Sequence, residues 1–189
     1  MPININSSFQ EHRQVISNLQ DMIPQIEELA KRMTNSLRQN GKILWMGNGG
    51  SAADCQHLAA ELVGQFARER KALPAIALTV DTSILTAVAN DYSFATVFAR
   101  QIQALCQPQD IVVGISTSGN SENVIAGILA AKEIGAYTVG MTGSSGGKLL
   151  ELVDTCLRVP SSNTPRIQEA HILIGHTLCE WIEATLAST

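Results

Sequence analysis

Five short apolar runs, separated by longer stretches of helical period, constrain this chain more than any other feature. The runs are Ile43-Leu44-Trp45-Met46, Ala75-Ile76-Ala77-Leu78, Ile111-Val112-Val113-Gly114-Ile115, Tyr137-Thr138-Val139-Gly140-Met141 and Thr155-Cys156-Leu157-Arg158-Val159. Runs of this length without strict alternation suit strands buried in a parallel sheet. The segments between them have the period and length of crossover helices. A β-α-β rhythm of this kind predicts an α/β three-layer sandwich, a five-stranded parallel sheet covered by helices in the flavodoxin-like or Rossmann-like manner. Ahead of the first run lie two helical segments. One spans roughly Ser8 to Leu19. The other is capped by Asp21, tolerates Pro24 in its first turn, continues through Ile26, Leu29, Met33 and Leu37, and ends at Gly41. With 189 residues and no linker, repeat or low-complexity tract, the chain reads as one domain over 1–189.

Composition narrows the function classes. An apolar content of 45% supports a sizeable core, and a net charge of −4 argues against a general nucleic-acid binder. It does not argue against a small anion, because backbone N–H groups can bind phosphate without lysine. Met1-Pro2-Ile3-Asn4-Ile5-Asn6 has no basic region followed by an apolar run, so no signal peptide is read. No apolar stretch reaches the ~18 residues of a membrane span. Cys55, Cys106, Cys156 and Cys179 are widely spaced with no C-x-x-C, which speaks against a disulfide framework or a cysteine zinc site. A reduced, cytoplasmic location is the expectation.

In open parallel sheets function lies at the carboxyl ends of the strands. Three polar, glycine-rich turns sit there. Gly47-Asn48-Gly49-Gly50-Ser51 follows the first run and leads into a helix near Ser51. Its small residues allow a ligand close to the backbone, and the helix start offers unpaired N–H groups and a positive dipole end. A tight turn with no ligand fits equally. The motif is neither a Walker loop nor a dinucleotide fingerprint. Ser116-Thr117-Ser118-Gly119-Asn120-Ser121 follows the third run, ahead of a helix carrying Val124, Ile125, Ile128 and Leu129. One hydroxyl, Ser118 or Ser121, suffices for an N-cap, so the surplus favours a cradle for a phosphate monoester. Thr142-Gly143-Ser144-Ser145-Gly146-Gly147 follows the fourth run and reads better as a turn.

Groups for metal or proton chemistry are fewer. His57 and Glu61 share a helix face four residues apart, a spacing that suits a metal or a proton-transfer pair and also any solvated face. Asp54, one turn earlier, is placed to orient the His57 ring. His12 stands in a polar helical stretch and receives no role. The last helix starts with Thr164 as N-cap and Pro165 in its first position, then runs through Arg166, Gln168, Glu169, His171 and His176 to Trp181. Histidines among apolar residues are usually core or interface groups. Gln168 and His176 are about 80° apart around an ideal helix, and Glu169 aligns better with His176. Spacing alone does not make Gln168 a ligand.

The ordered set carries more than its parts. Gly47-Asn48-Gly49-Gly50-Ser51 with His57-x-x-x-Glu61, then Asn90-Asp91, then Ser116-Thr117-Ser118-Gly119-Asn120-Ser121, then Arg166-Ile167-Gln168-Glu169 with His176, resembles the bacterial phosphoheptose isomerases of the sugar-isomerase (SIS) superfamily. The resemblance covers nearly the whole chain. It implies a SIS domain and one zinc ion per subunit, with His57, Glu61, Gln168 and His176 as ligands. It implies a phosphate loop at Ser116, Thr117, Ser118 and Ser121, substrate contacts at Asn48, Gly49, Gly50, Ser51, Glu61, Asn90, Asp91 and Gln168, and an acid–base pair of Glu61 and His176. It also implies a cytoplasmic homotetramer with shared active sites, packed partly through helices in residues 1–40, with no nucleic-acid or membrane partner. Relatives often carry arginine eight residues after the first zinc histidine. Here Gln65 stands there, so Arg68, Arg70 or nothing replaces that contact.

The chemistry the resemblance implies is isomerisation of sedoheptulose 7-phosphate to D-glycero-D-manno-heptose 7-phosphate through a zinc-assisted enediolate, the first step of ADP/GDP-heptose precursor synthesis for lipopolysaccharide. Glu61 would remove the C1 proton, and His176 would move protons on the oxygens or return one to C2. A zinc-bound carboxylate is a poor base, so either the second oxygen of Glu61 acts or the coordination changes during turnover. Two alternatives lie outside isomerisation: a non-catalytic SIS protein that binds the replication initiator DnaA, and a sugar-phosphate-binding regulatory or structural SIS domain without turnover.

Overall fold

The computed structural model describes residues 4–187, so the first three residues of the leader reading lie outside the described residues. The five apolar runs become β1 (Ile43–Gly47), β2 (Ala75–Ala77), β3 (Ile111–Ile115), β4 (Tyr137–Thr142) and β5 (Thr155–Arg158). They form one sheet in the order β2-β1-β3-β4-β5, and every pairing is parallel. β1 and β3 pair along their full length, from Ile43 opposite Ile111 to Gly47 opposite Ile115.

The helices are α1 (Ile5–Asn18), α2 (Ile23–Arg38), α3 (Gly50–Val63), α4 (Thr82–Asp91), α5 (Val97–Leu105), α6 (Glu122–Ile134), the single turn α7 (Leu149–Leu152) and α8 (Thr164–Leu186). Alternation along β1 divides the core. Ile43 and Trp45 join α2, α3 and α8 through Leu29, Met33, Leu58, Leu62, Ile174 and Leu178. Leu44 and Met46 join α5 and α6 on the other side through Phe98, Ile102, Val124 and Ile128. Each such side chain, once fully buried, contributes about 1.5–3 kcal/mol. The three-layer sandwich with a five-stranded parallel sheet is thus the observed fold, and the lack of alternation within each run follows from burial on both faces.

Three helix starts differ from the sequence reading. α1 begins at Ile5 rather than Ser8, because Asn4 is extended and its side chain accepts from the Asn6 N–H. Asp21 does not cap α2. It lies in a 3-10 turn, Leu19–Met22, and the backbone at Asn18 and Met22 stays right-handed, so no extended capping position exists there. At α8 the extended cap position is Asn163, and Thr164 is already the first helical residue. The four cysteines are free thiols. Among the described residues no helix is long and apolar enough to cross a membrane.

Candidate active site

The chain leaves β1 toward β2 on one side and β3 toward β4 on the other, so the loops after β1 and β3 diverge and open a crevice at the carboxyl end of the sheet. In the first loop Gly49 has φ 56° and ψ −123°, a conformation that side chains oppose. Gly50 opens α3 under Gln168, and a Cβ there would lie 2.6 Å from Gln168 Nε2. Both amide groups of Asn48 are engaged: Nδ2 donates to Asn123 Oδ1 and Oδ1 accepts from Asn123 Nδ2, each at 2.8 Å. Asn123 is 3% exposed, and its Oδ1 also accepts from the Val124 N–H. Asn48 therefore presents its backbone rather than its amide to the crevice. Ser51 is buried in the first turn of α3.

The second loop gathers hydroxyls at the start of α6. Ser116 Oγ lies 2.9 Å from Ser121 Oγ and 3.4 Å from Ser118 Oγ, and Ser118 Oγ accepts from the Asn120 N–H at 3.2 Å. Ser121 occupies the extended cap position but makes no side-chain cap bond. Redundant capping thus does not explain the three clustered serines. The third turn packs against this loop: Gly143 N–H donates to the Thr117 carbonyl at 3.0 Å, Leu149 N–H to the Gly119 carbonyl at 3.1 Å, and Lys148 N–H to Asn120 Oδ1 at 3.0 Å. His171, buried on α8, supports the same region by donating from Nε2 to the Thr142 carbonyl at 3.2 Å. Burial drives its imidazole down to about 4, against the opposing effect of that carbonyl, so it stays neutral.

His57, Glu61 and His176 meet where α3 packs on α8. His57 Nε2 is 2.8 Å from His176 Nε2 and 3.2 Å from Glu61 Oε1, and one ligand atom from each residue lies within 4.8 Å of the others. Helix periodicity set the His57–Glu61 pair; His176 arrives only through tertiary packing. Two imidazoles facing Nε2 to Nε2 share one proton at most, and a cation satisfies both lone pairs and the carboxylate together. Two nitrogens and an oxygen suit zinc. Gln168 stands two turns before His176 on α8, over Gly50, and offers an amide oxygen. Glu169, better aligned by helix arithmetic, is committed elsewhere: its Oε2 is 2.6 Å from His12 Nδ1 and its Oε1 accepts from Arg166 at 2.5 Å. His12, without a role in the sequence reading, thus ties α1 to α8.

Other expected contacts resolve differently. Asp54 makes no hydrogen bond to His57; its Oδ2 is buried without a hydrogen-bond partner. Burial raises the Asp54 carboxyl, and the nearby His57 and His176 only partly oppose that. Arg70 is not available to replace the missing arginine, because its buried guanidinium pairs with Glu183 and with carbonyls at the end of α3 and in the loop that follows. Asn90 and Asp91 lie exposed at the end of α4, where Asn90 Nδ2 donates to Asp91 Oδ1 at 2.9 Å. α4 itself buries no residue. Asn123, Phe66 and Glu183 escaped the sequence reading, since a lone asparagine, phenylalanine or glutamate carries no local signal for a partner so distant in sequence.

Comparison with known proteins shows what the whole chain is similar to. A SIS domain family profile matches residues 9–143. A phosphoheptose isomerase from Roseiflexus sp. is 57% identical over 168 residues, 89% of this chain and 85% of that protein. The one from Geotalea daltonii is 51% identical over 183 residues, 96% of this chain and 95% of that protein. A solved phosphoheptose isomerase from Francisella tularensis superposes with a TM-score of 0.92 at 41% identity, covering 95% of this chain and 96% of its own. GmhA from Neisseria gonorrhoeae, also a phosphoheptose isomerase, gives 0.90 at 43% identity, with coverage of 95% and 97%.

Proposed function

The chain belongs to the phosphoheptose isomerases of the SIS-domain family, and on that premise we propose that it converts sedoheptulose 7-phosphate to D-glycero-D-manno-heptose 7-phosphate, the first step toward ADP- or GDP-heptose precursors. The observation that carries this reading is the meeting of His57, Glu61 and His176 within 4.8 Å, in a chain whose serine loop gathers three hydroxyls at a helix start.

The division of labour follows from the groups present. Ser116, Thr117, Ser118 and Ser121, with the first amides of α6, bind the phosphate. The backbone of Asn48, Gly49 and Gly50 and the amide of Gln168 hold the open-chain sugar. His57, Glu61, His176 and Gln168 would hold one zinc ion, which when bound supplies Lewis-acid polarisation of the substrate carbonyl. Glu61 Oε1 faces His57, which leaves Oε2 to take the C1 proton. His176 relays the proton lost at O1 to O2, and Glu61, whose carboxyl exchanges its proton with solvent, delivers one to C2. Atoms balance, since the ketose and aldose are isomers. Nothing in the relatives named above favours the DnaA-binding reading.

Asn90 and Asp91 complete the site from a neighbouring subunit in a homotetramer, a role that fits the exposed α4 on which they sit. The cytoplasm is the compartment that this substrate and four free thiols suit.

Turnover in deuterium oxide tests the proton route. The reading predicts aldose carrying solvent deuterium at C2 by NMR. Aldose formed with no deuterium at C2, or no aldose at all, contradicts it.

A further inference from the structure

A fully buried carboxylate lies one helical repeat beyond the triad. Glu183 follows His176 by seven residues on α8 and so shares its face. Glu183 is 1% exposed, and its carboxylate bonds to one segment. Its Oε1 accepts from the Phe66 N–H at 2.9 Å, and its Oε2 accepts from the N–H groups of Ala67 at 2.7 Å and Arg68 at 2.9 Å. Arg70 Nε lies 3.1 Å from Glu183 Oε1. The rest of that guanidinium closes the end of α3: Nη1 donates to the carbonyls of Leu62 at 2.9 Å and Gly64 at 3.1 Å, and Nη2 donates to the carbonyl of Glu61 itself at 2.8 Å.

The segment so held, residues 64–71, begins three residues after Glu61 and lays the Phe66 ring 5.6 Å from the His176 ring. One buried ion pair therefore touches both helices of the triad and fixes the aromatic wall against one of its histidines. Apolar side chains could close such a loop without the cost of burying charge. What three consecutive amides aimed at one carboxylate add is direction. Burial works to raise the Glu183 carboxyl, but the three amides and Arg70 prevail and hold it below the usual carboxylate range.

We propose that Glu183 and Arg70 are positioning residues, which hold residues 64–71 as a strap so that Phe66 packs on His176 while Glu61 keeps its place at the capped end of α3. The inference rests on the zinc-assisted isomerase reading for its kinetic consequence, and on geometry alone for the strap. The serine loop lies on β3 and α6, outside the strap, so the pair acts on the triad and not on phosphate binding.

The test is Glu183→Gln in the full chain, which removes the charge at nearly constant volume. Three readouts are taken: kcat and KM with sedoheptulose 7-phosphate, zinc affinity by chelator competition, and amide hydrogen exchange. The expected result is a kcat per folded molecule lower by about tenfold or more, KM within about threefold, and zinc affinity down by about tenfold. Exchange at Phe66, Ala67 and Arg68 accelerates while amides of β1 keep their protection. Should Glu183→Gln fail to fold, Phe66→Leu is the second variant, and it lowers kcat with the strap amides still protected. Wild-type kcat in the variant that folds, or unchanged exchange at residues 66–68 in Glu183→Gln, overturns the proposal. If the wild-type protein makes no aldose, the isomerase reading fails, and zinc affinity and exchange still decide for or against the strap.

Discussion

Glu61 carries the heaviest demand of any residue. As the proposed base its carboxylate must take a carbon-bound proton, so Glu61→Gln should lower kcat by roughly two to four orders of magnitude with the fold intact. An NMR turnover assay beside a circular dichroism spectrum checks this, and near-normal activity counts against the assignment. His171 makes a different prediction. Its folded value is pushed to about 4 by burial, below the 6.5 of an ordinary imidazole. Above pH 6.5 neither state binds the proton and the effect is absent. As the pH falls from 6.5 to 4 the unfolded chain takes up a proton that the folded chain refuses, so stability is lost across that window. The loss by pH 4 is on the order of a few kcal/mol, at about 1.4 kcal/mol for each tenfold difference in proton affinity between the two states. Denaturant melts of wild type and His171→Gln at pH 7 and pH 4.5 measure it: the variant should be less stable at pH 7 and show a smaller drop on acidification.

At the scale of elements, the turn between β1 and α3 is where backbone and function meet. Gly49→Ala must place a side chain at φ 56°, ψ −123°, which should cost about 1–3 kcal/mol in a urea melt. Nothing stands within 4 Å of a Cβ there, so the loss comes from conformation rather than collision. An unchanged midpoint argues against the loop geometry. The strands were legible because burial on both faces writes continuous apolar runs; β3 was read at its observed limits, Ile111–Ile115. Helix starts were less so. Asp21 and Thr164 have capping chemistry but do not stand at an extended cap position, whereas Ser121 does and turns its hydroxyl to Ser116 instead. Within the site, spacing put His57 and Glu61 on one helix face without telling a ligand pair from a solvated one, and surplus hydroxyls pointed to the serine loop. Gln168 was placed by resemblance alone. Asn123 on Asn48, Glu183 on the strap and His12 on Glu169 depend on contacts between distant segments, which no local pattern encodes.

The whole molecule keeps a surface that one chain does not cover. Ile23, Leu173 and Trp181 stay exposed beside a groove that α1, α2 and α8 line with Ile16, Leu19, Ile26 and Ile174. This face suits subunit packing in the proposed homotetramer. Trp181→Glu should lower the mass in light scattering below that of a tetramer, and an unchanged tetramer would place the interface elsewhere. Catalysis, however, decides the proposed function. The most direct measurement is turnover of sedoheptulose 7-phosphate by metal-stripped and zinc-restored protein, with the product identified by NMR. The proposed isomerase makes D-glycero-D-manno-heptose 7-phosphate only after zinc is restored. A folded, zinc-loaded protein that leaves the ketose unchanged, or a metal-stripped one that converts it at full rate, would contradict it.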